Sequence, residues 1–372
     1  MAGGRPGYIE TVPADADQEA TDARSTMVTA RLVYAFSLGH RIAPDSGSRR
    51  AAEHGLRFLL DRCQVAGEFR HGVLAGGDVS SATADLYDLA FVLLALGGYT
   101  SATGDCTHLA TAEDLGFYLD TLRDTSQSGY REPGPTGPLR QQFPNMHLFE
   151  AFQLLARLSP EGPWLARAET LVDLVETRLI AEDGSIAEWY RPDWCRLEGG
   201  PGSEREIGHQ FEWAWLLYRH AETSGNMRAA DLADRLYRFG CEAASIDGKA
   251  PFGLLRNGLD AAGRSLDERR PLWPLTELLR VAIAAEALGR PGPAATVADD
   301  ALEAIFTHFV DAPTGLWVNE RDSSGAALVP SSPTRLLYHL LPAFAAYAQA
   351  REPGFVDDNP ILDRPNAAWP SR

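Results

Sequence analysis

The residues best suited to chemistry in this chain are histidines set among aromatic and acidic neighbours. His209 opens the stretch GHQFEWAWLLYR and Glu212 lies three positions on, so on a helix the two side chains share a face and can meet. A histidine held by a carboxylate is an acid or base that can be tuned near neutral pH, although the same pair also reads as an ordinary helix start with an acidic first turn. His339 sits in SSPTRLLYHLLPAF, just after Pro333 marks a helix start, and His147 sits in FPNMHLFEAF. Taken singly, each of these reads as a packed core histidine. Together they occupy corresponding parts of three separate helices, which chance scattering does not favour. Trp213 and Trp273 can stack on the apolar face of a sugar ring or simply fill a core, and Glu277 follows Trp273 by one turn. Arg31, with Tyr34 beside it, lies in an otherwise apolar stripe and needs a partner, since an unpaired buried charge is costly. In DLYDLAFVLLAL, Tyr87 is the candidate for sugar contact, while Asp85 and Asp88 read as structural. Zinc needs three or more convergent ligands, and no HExxH-type spacing supplies them, so no metal site and no cofactor are expected.

These residues need elements that converge on one place. Six glycine-bearing, strand-like segments, beginning at Gly7, Gly67, Ser128, Gly184, Pro251 and Gly315, recur along the chain and read as hairpins. Each precedes a helix carrying one of the polar or aromatic clusters. Apolar spacing predicts helices near 23–41, 48–62, 82–98, 108–123, 143–158, 163–180, 207–222, 226–244, 271–288, 295–309 and 333–350. A recurring unit of a hairpin and two helices cannot bury its apolar faces alone, and six such units can close into a ring. The first helix of each unit, richer in aromatic and polar residues, is expected inside, and the second, plainly amphipathic one outside.

Composition fits one all-α domain over residues 1–372, with 351–372 as a C-terminal tail: 45% of the 372 residues are hydrophobic, and no charge block or low-complexity stretch divides them. A formal net charge of -17 disfavours nucleic acid as a partner. No run approaches the roughly 18 apolar residues of a membrane span, and the start MAGGRPGYIETV has neither basic region nor apolar secretory core, so the expected compartment is the cytoplasm. Cys63, Cys106, Cys195 and Cys241 lack zinc-type spacing and are expected to be reduced.

RLVYAFS (Arg31 to Ser37), DLYDLAF (Asp85 to Phe91), FPNMHLFEAF (Phe143 to Phe152), IGHQFEWAWLL (Ile207 to Leu217), LWPLTELLR (Leu272 to Arg280) and LYHLLPAF (Leu337 to Phe344), in this order and spacing, resemble the N-acylglucosamine 2-epimerase superfamily. The resemblance runs from about residue 7 to 350. It implies an (α/α)6 barrel with short hairpins at one end, acting on a monosaccharide without a metal. Members interconvert aldoses and ketoses or invert carbon 2, and the HQFEW form with a following LYHL looks most like mannose isomerases and sulfoquinovose isomerases. By resemblance, His339 is the base that moves the proton through an enediol(ate), and His209, supported by Glu212, serves the sugar oxygens. Arg31, Tyr87, His147, Trp273 and Glu277 then orient the sugar. A 2-epimerase is the alternative within the family. An inverting glycosidase, which uses two carboxylates, and a sugar-binding protein without activity are the alternatives outside it.

Two departures stand out. Phe143-Pro144-Asn145-Met146-His147 replaces the Asn-Pro-His/Met-Met-His of relatives, which bears on substrate choice. Relatives also place a further helix before the first hairpin, so eleven helices are expected here, with the flank of the last one covered by the tail or by a second subunit of a homo-oligomer.

Overall fold

A computed structural model describes residues 7–13, 23–74, 77–124, 128–134, 137–245, 254–260, 262–266, 269–290, 292, 296–329, 331–352 and 355. Among them eleven α-helices form two concentric layers. The inner layer is α1 (Thr26–Ile42), α3 (Leu86–Thr103), α5 (Phe143–Leu158), α7 (Ile207–Ser224), α9 (Trp273–Ala287) and α11 (Leu337–Arg351). The outer layer is α2 (Ser48–Phe58), α4 (Leu109–Thr121), α6 (Trp164–Leu174), α8 (Met227–Ala243) and α10 (Val297–His308). Each inner helix packs on the next, and α11 returns to α1, so the inner ring closes. Each outer helix packs against the inner helix before it, and among the described residues none covers α11.

The layers follow from the sequence pattern. In α8 the buried residues Ala229, Ala230, Leu232, Ala233, Leu236, Tyr237, Gly240 and Cys241 fall on one stripe, as suits a helix with a single covered face. α3 instead buries nearly every side chain from Leu86 to Thr100 because it is packed on several sides. Its length and hydropathy would also allow a membrane span, which amends the expectation from sequence, but 78% of it is buried inside the fold, as in the central helix of a helical ring.

The short strands pair differently from simple hairpins. Local fold-back does occur through single bridges such as Ile180 to Ile186 and Val310 to Trp317. The two-residue ladders, however, mostly join one unit to the next: Arg24–Ser25 with Gly72–Val73, Arg140–Gln141 with Trp189–Tyr190, Arg205–Glu206 with Gly258–Leu259, and Arg270–Pro271 with Glu320–Arg321. In each, the backbone just ahead of an inner helix still has free hydrogen-bonding groups, and the following glycine-bearing segment satisfies them. Gly72 is required there, since a Cβ would lie 2.3 Å from the Arg24 carbonyl oxygen. A fifth ladder, Ser332–Pro333 with Thr11–Val12, ties the last unit to the first. All five ladders therefore gather at the end of the ring where the inner helices begin. Pro251–Gly253 of one expected hairpin, and the expected tail from residue 356 on, lie outside the described residues.

Candidate active site

At that end a cavity of ≈ 270 Å³ opens along the ring axis. Arg31, Tyr87, His147, His209, Glu212, Trp273 and His339 all line it, together with Phe143, Glu206, Asn319, Glu320, Arg335 and Leu336. Their convergence has a local cause: each sits in the first turns of an inner helix or in the segment leading into it, except Asn319 and Glu320, which lie where the next unit pairs with the segment ahead of α9. Phe143 and Trp273 each open a helix with a proline next in the chain, a residue whose fixed φ and missing N–H suit a first turn. This sets both rings at the cavity wall. The Phe143 ring stacks on His209 at 5.6 Å between centroids, and Trp273 lies 5.1 Å from His209 and 5.7 Å from His339. The indole thus lies against both histidines.

His209 and His339 are prepared in opposite ways. His209 Nδ1 is 2.8 Å from Glu188 Oε2 and 3.6 Å from Glu206 Oε2. Burial alone would disfavour its charge, but Glu188 and Glu206 outweigh that and push the imidazole up to about 10. Glu188 is itself held by the Gln142 side-chain amide at 3.0 Å and the Glu206 N–H at 3.2 Å. His339 Nδ1 is 2.8 Å from Glu277 Oε1, and burial pulls its pKa below the ordinary histidine value despite that carboxylate. In both rings Nδ1 is engaged, which leaves Nε2 as the nitrogen available to the cavity. The result is one imidazole favoured in its charged form and one in its neutral form, both against one indole, which distinguishes an acid from a base.

Beneath them lies a buried polar layer. Arg280 Nη1 donates to Glu277 Oε2 at 3.0 Å and its Nη2 to Glu150 Oε1 at 3.4 Å. The Tyr338 hydroxyl donates to Glu150 Oε2 and lies 3.3 Å from Glu212 Oε1. Burial, with Arg280 and His339 acting against it, leaves Glu277 below the usual carboxylate range. Glu212 is raised well above that range by burial and by Glu277 and Glu150. Glu150 and Glu277 thus both pair with Arg280, and Glu212 keeps its proton. His147, pushed down to about 4 chiefly by burial, stays neutral against Tyr87 and Phe91.

A model of the N-acylglucosamine 2-epimerase family matches residues 7–343. The chain belongs to that family. It is 32% identical to a mannose-6-phosphate isomerase of Rhizobium meliloti over 90% of this chain and 88% of the relative. It is also 27% identical to a D-mannose isomerase of Pseudomonas cannabina over 84% and 80%. Among solved structures, a cellobiose 2-epimerase from Bacillus thermoamylovorans superposes with a TM-score of 0.80 at 18% identity, covering 93% of each chain, and a D-mannose isomerase with 0.79 at 20%, covering 92% of each.

Within this epimerase-family site two sequence assignments change. Glu212, expected to support His209, faces Tyr338 and His147 instead, 3.3 and 3.8 Å away. Sharing a helical face brings the two residues near, but the side chain of Glu212 runs inward to the buried layer, and Glu188 from the neighbouring ladder takes the histidine. Glu277, expected to touch sugar, is fully buried between Arg280 and His339 and does not line the cavity. Trp213 is core, its indole N–H donating to Gln142 at 2.5 Å, and Asp85 and Asp88 form the capping box of α3. Sequence reasoning missed Glu188, Glu206, Glu150, Arg280 and Arg335, whereas Tyr338 forms the cluster of the last helix together with His339. Two overlapping groups, His147–Glu150–Glu212 and Glu212–Glu277–His339, bring metal-type ligand atoms within 4.8 Å of one another, as does His71–Asp85–Asp88 on α3. In the two buried groups Glu150 and Glu277 already bind Arg280, whose guanidinium opposes a cation at the same place.

Proposed function

We propose that this isomerase/epimerase-family enzyme interconverts a mannose-configured aldose, D-mannose or the analogous D-lyxose, and its ketose by proton transfer through an enediol(ate). The observation that carries the reading is the pair of carboxylate-held imidazoles against Trp273, His209 on Glu188 and His339 on Glu277, the first favoured in its charged form and the second in its neutral form. Neutral His339 takes the proton from carbon 2 while protonated His209 donates to the carbonyl oxygen at carbon 1. His339 then returns its proton to carbon 1 as the carbon 2 hydroxyl gives one back to His209. No proton or electron is left over, and no cofactor or divalent ion is needed. Arg31, Tyr87, His147 and Trp273 position the sugar, and Glu277 keeps His339 in the tautomer whose free lone pair is on Nε2. Each positioned acid or base is worth roughly a hundred- to ten-thousand-fold.

The test is mannose in heavy water with chelator-treated protein. Deuterium is expected at carbon 1 of the fructose formed, and His339→Ala is expected to lose at least about a hundredfold in turnover with its fold intact. Activity that needs an added divalent ion, or a variant keeping more than about a tenth of turnover, refutes the scheme. Deuterium at carbon 2 of an inverted aldose shows 2-epimerase chemistry instead.

A further inference from the structure

Three carboxyl groups line the cavity, and two of them are engaged. Glu212 lies 3.3 Å from the Tyr338 hydroxyl, and Glu320 pairs with Arg269 at 3.9 Å. Glu206 differs. Among the described residues neither of its side-chain oxygens receives a hydrogen bond, and its ion-pair partner, His209 Nδ1, stands 3.6 Å away and is already held by Glu188. The backbone of Glu206 is fixed by the ladder of Arg205–Glu206 with Gly258–Leu259 and by its own N–H, which donates to Glu188 Oε1 at 3.2 Å. The side chain is thereby carried at the cavity wall just ahead of α7. Burial, helped by Glu188 and Glu204 and opposed by His209 and Arg269, pushes its pKa up to about 7.

A protonated carboxyl group carries a donor and an acceptor on one carbon. An aldose arrives as a closed ring, whereas proton transfer from carbon 2 starts from the open aldehyde. Opening the ring takes a proton from the carbon 1 hydroxyl and supplies one to the ring oxygen. The two histidines cannot do this and stay ready, because His339 would end charged and His209 neutral, the reverse of what the next step requires. A single group that gives and takes a proton at once leaves both histidines as they were. The two oxygens on carbon 1 of a pyranose are spaced much like the two of a carboxyl group, so the pairs can face each other.

We propose that Glu206 opens the sugar ring, its carboxyl O–H protonating the ring oxygen while its carbonyl oxygen takes the proton of the carbon 1 hydroxyl. The bond from carbon 1 to the ring oxygen breaks as the double bond to oxygen forms at carbon 1, and the carboxyl emerges with its proton on the other oxygen. No charge is left behind. His209, the neighbour of Glu206 on the same wall, then serves the new carbonyl oxygen. This rests on the isomerase reading above for the sugar. Proton exchange between oxygens is quick beside proton removal from carbon, so the pH limbs of isomerisation remain those of the two histidines.

The experiment follows exchange between α- and β-D-mannopyranose by magnetisation transfer between their anomeric protons, with the wild-type chain and Glu206→Gln. Glutamine keeps a donor and an acceptor at the same place, but passing a proton through it would leave an unstable imidic acid. The wild-type chain is expected to speed anomer exchange above the buffer rate, and this excess should fade as pH rises through about 7. Glu206→Gln should lose at least about tenfold of the excess, with the KM for mannose little changed. Fructose formation without excess exchange, an excess undiminished in Glu206→Gln, or one indifferent to pH through that range overturns the proposal and leaves the isomerase reading intact. Excess exchange that depends on Glu206 but yields no fructose keeps the ring-opening role and overturns the isomerase reading.

Discussion

With Glu188 and Glu206 on one side and burial on the other, His209 keeps its proton up to about pH 10, whereas His339, whose one carboxylate is shared with Arg280, loses its proton below the ordinary histidine value. If the acid is His209 and the base His339, kcat/KM should rise as pH climbs through the lowered pKa of His339 and fall again near 10. Glu188→Gln removes the leading charge that favours imidazolium, so the alkaline limb should move toward neutral pH by at least one unit. An unmoved alkaline limb in a folded variant shows that His209 is not the acid. The same shift bears on folding: a histidine raised from 6.5 to about 10 contributes stability that is complete below 6.5 and lost as pH rises through 10. The histidines themselves were legible because they recur at equivalent helix starts. Glu188 was not, because it precedes His209 by 21 positions and meets it only through the ladder contacts that join units. Glu212, the obvious partner by spacing, was drawn away by the buried layer that no local pattern reveals.

At the level of elements, helix starts do most of the positioning, and α7 and α9 are nearly in contact at theirs. A Cβ on Gly208 would meet the Trp273 ring at 2.2 Å. Gly208→Ala is therefore expected to push the indole out of its place against the two histidines and cost at least tenfold in kcat/KM, with thermal stability falling by about 1–3 kcal/mol from overpacking. Unchanged kinetics would mean that the indole has no part in holding the substrate. The helices were readable to within a few residues, α5 to the residue, because an apolar stripe, proline starts and glycine ends punctuate them. The pairing of the short strands was not readable. Two residues carry too little periodicity to choose between folding back locally and reaching the next unit.

Across the whole molecule, the segment around Tyr8 to Val12 joins the two ends of the ring. The Thr334 N–H donates to the Glu10 carbonyl at 2.9 Å, the Thr334 hydroxyl to the Ile9 carbonyl at 2.8 Å, and the Tyr8 hydroxyl to the Ala51 carbonyl at 2.6 Å, while the Glu10 carboxylate accepts from the Ser25 N–H at the start of α1. At about 1 kcal/mol net for each hydrogen bond, removing Met1 through Val12 should cost a few kcal/mol and slacken the starts of both α1 and α11, which carry Arg31 and His339. A truncated chain with unaltered melting temperature and turnover would show that the clasp is dispensable. Self-similarity made six units countable from the sequence, but which strand closes the circle depended on a contact spanning 325 positions. That span has a kinetic meaning. Neighbouring units can dock as soon as each is made, whereas the clasp must wait for nearly the entire polypeptide and bears the largest loop-closure entropy of any contact in the ring. The cavity takes Arg31 from the first unit and His339 from the last, so refolding followed by helix signal should run ahead of the return of activity, and the lag should lengthen when the clasp is weakened.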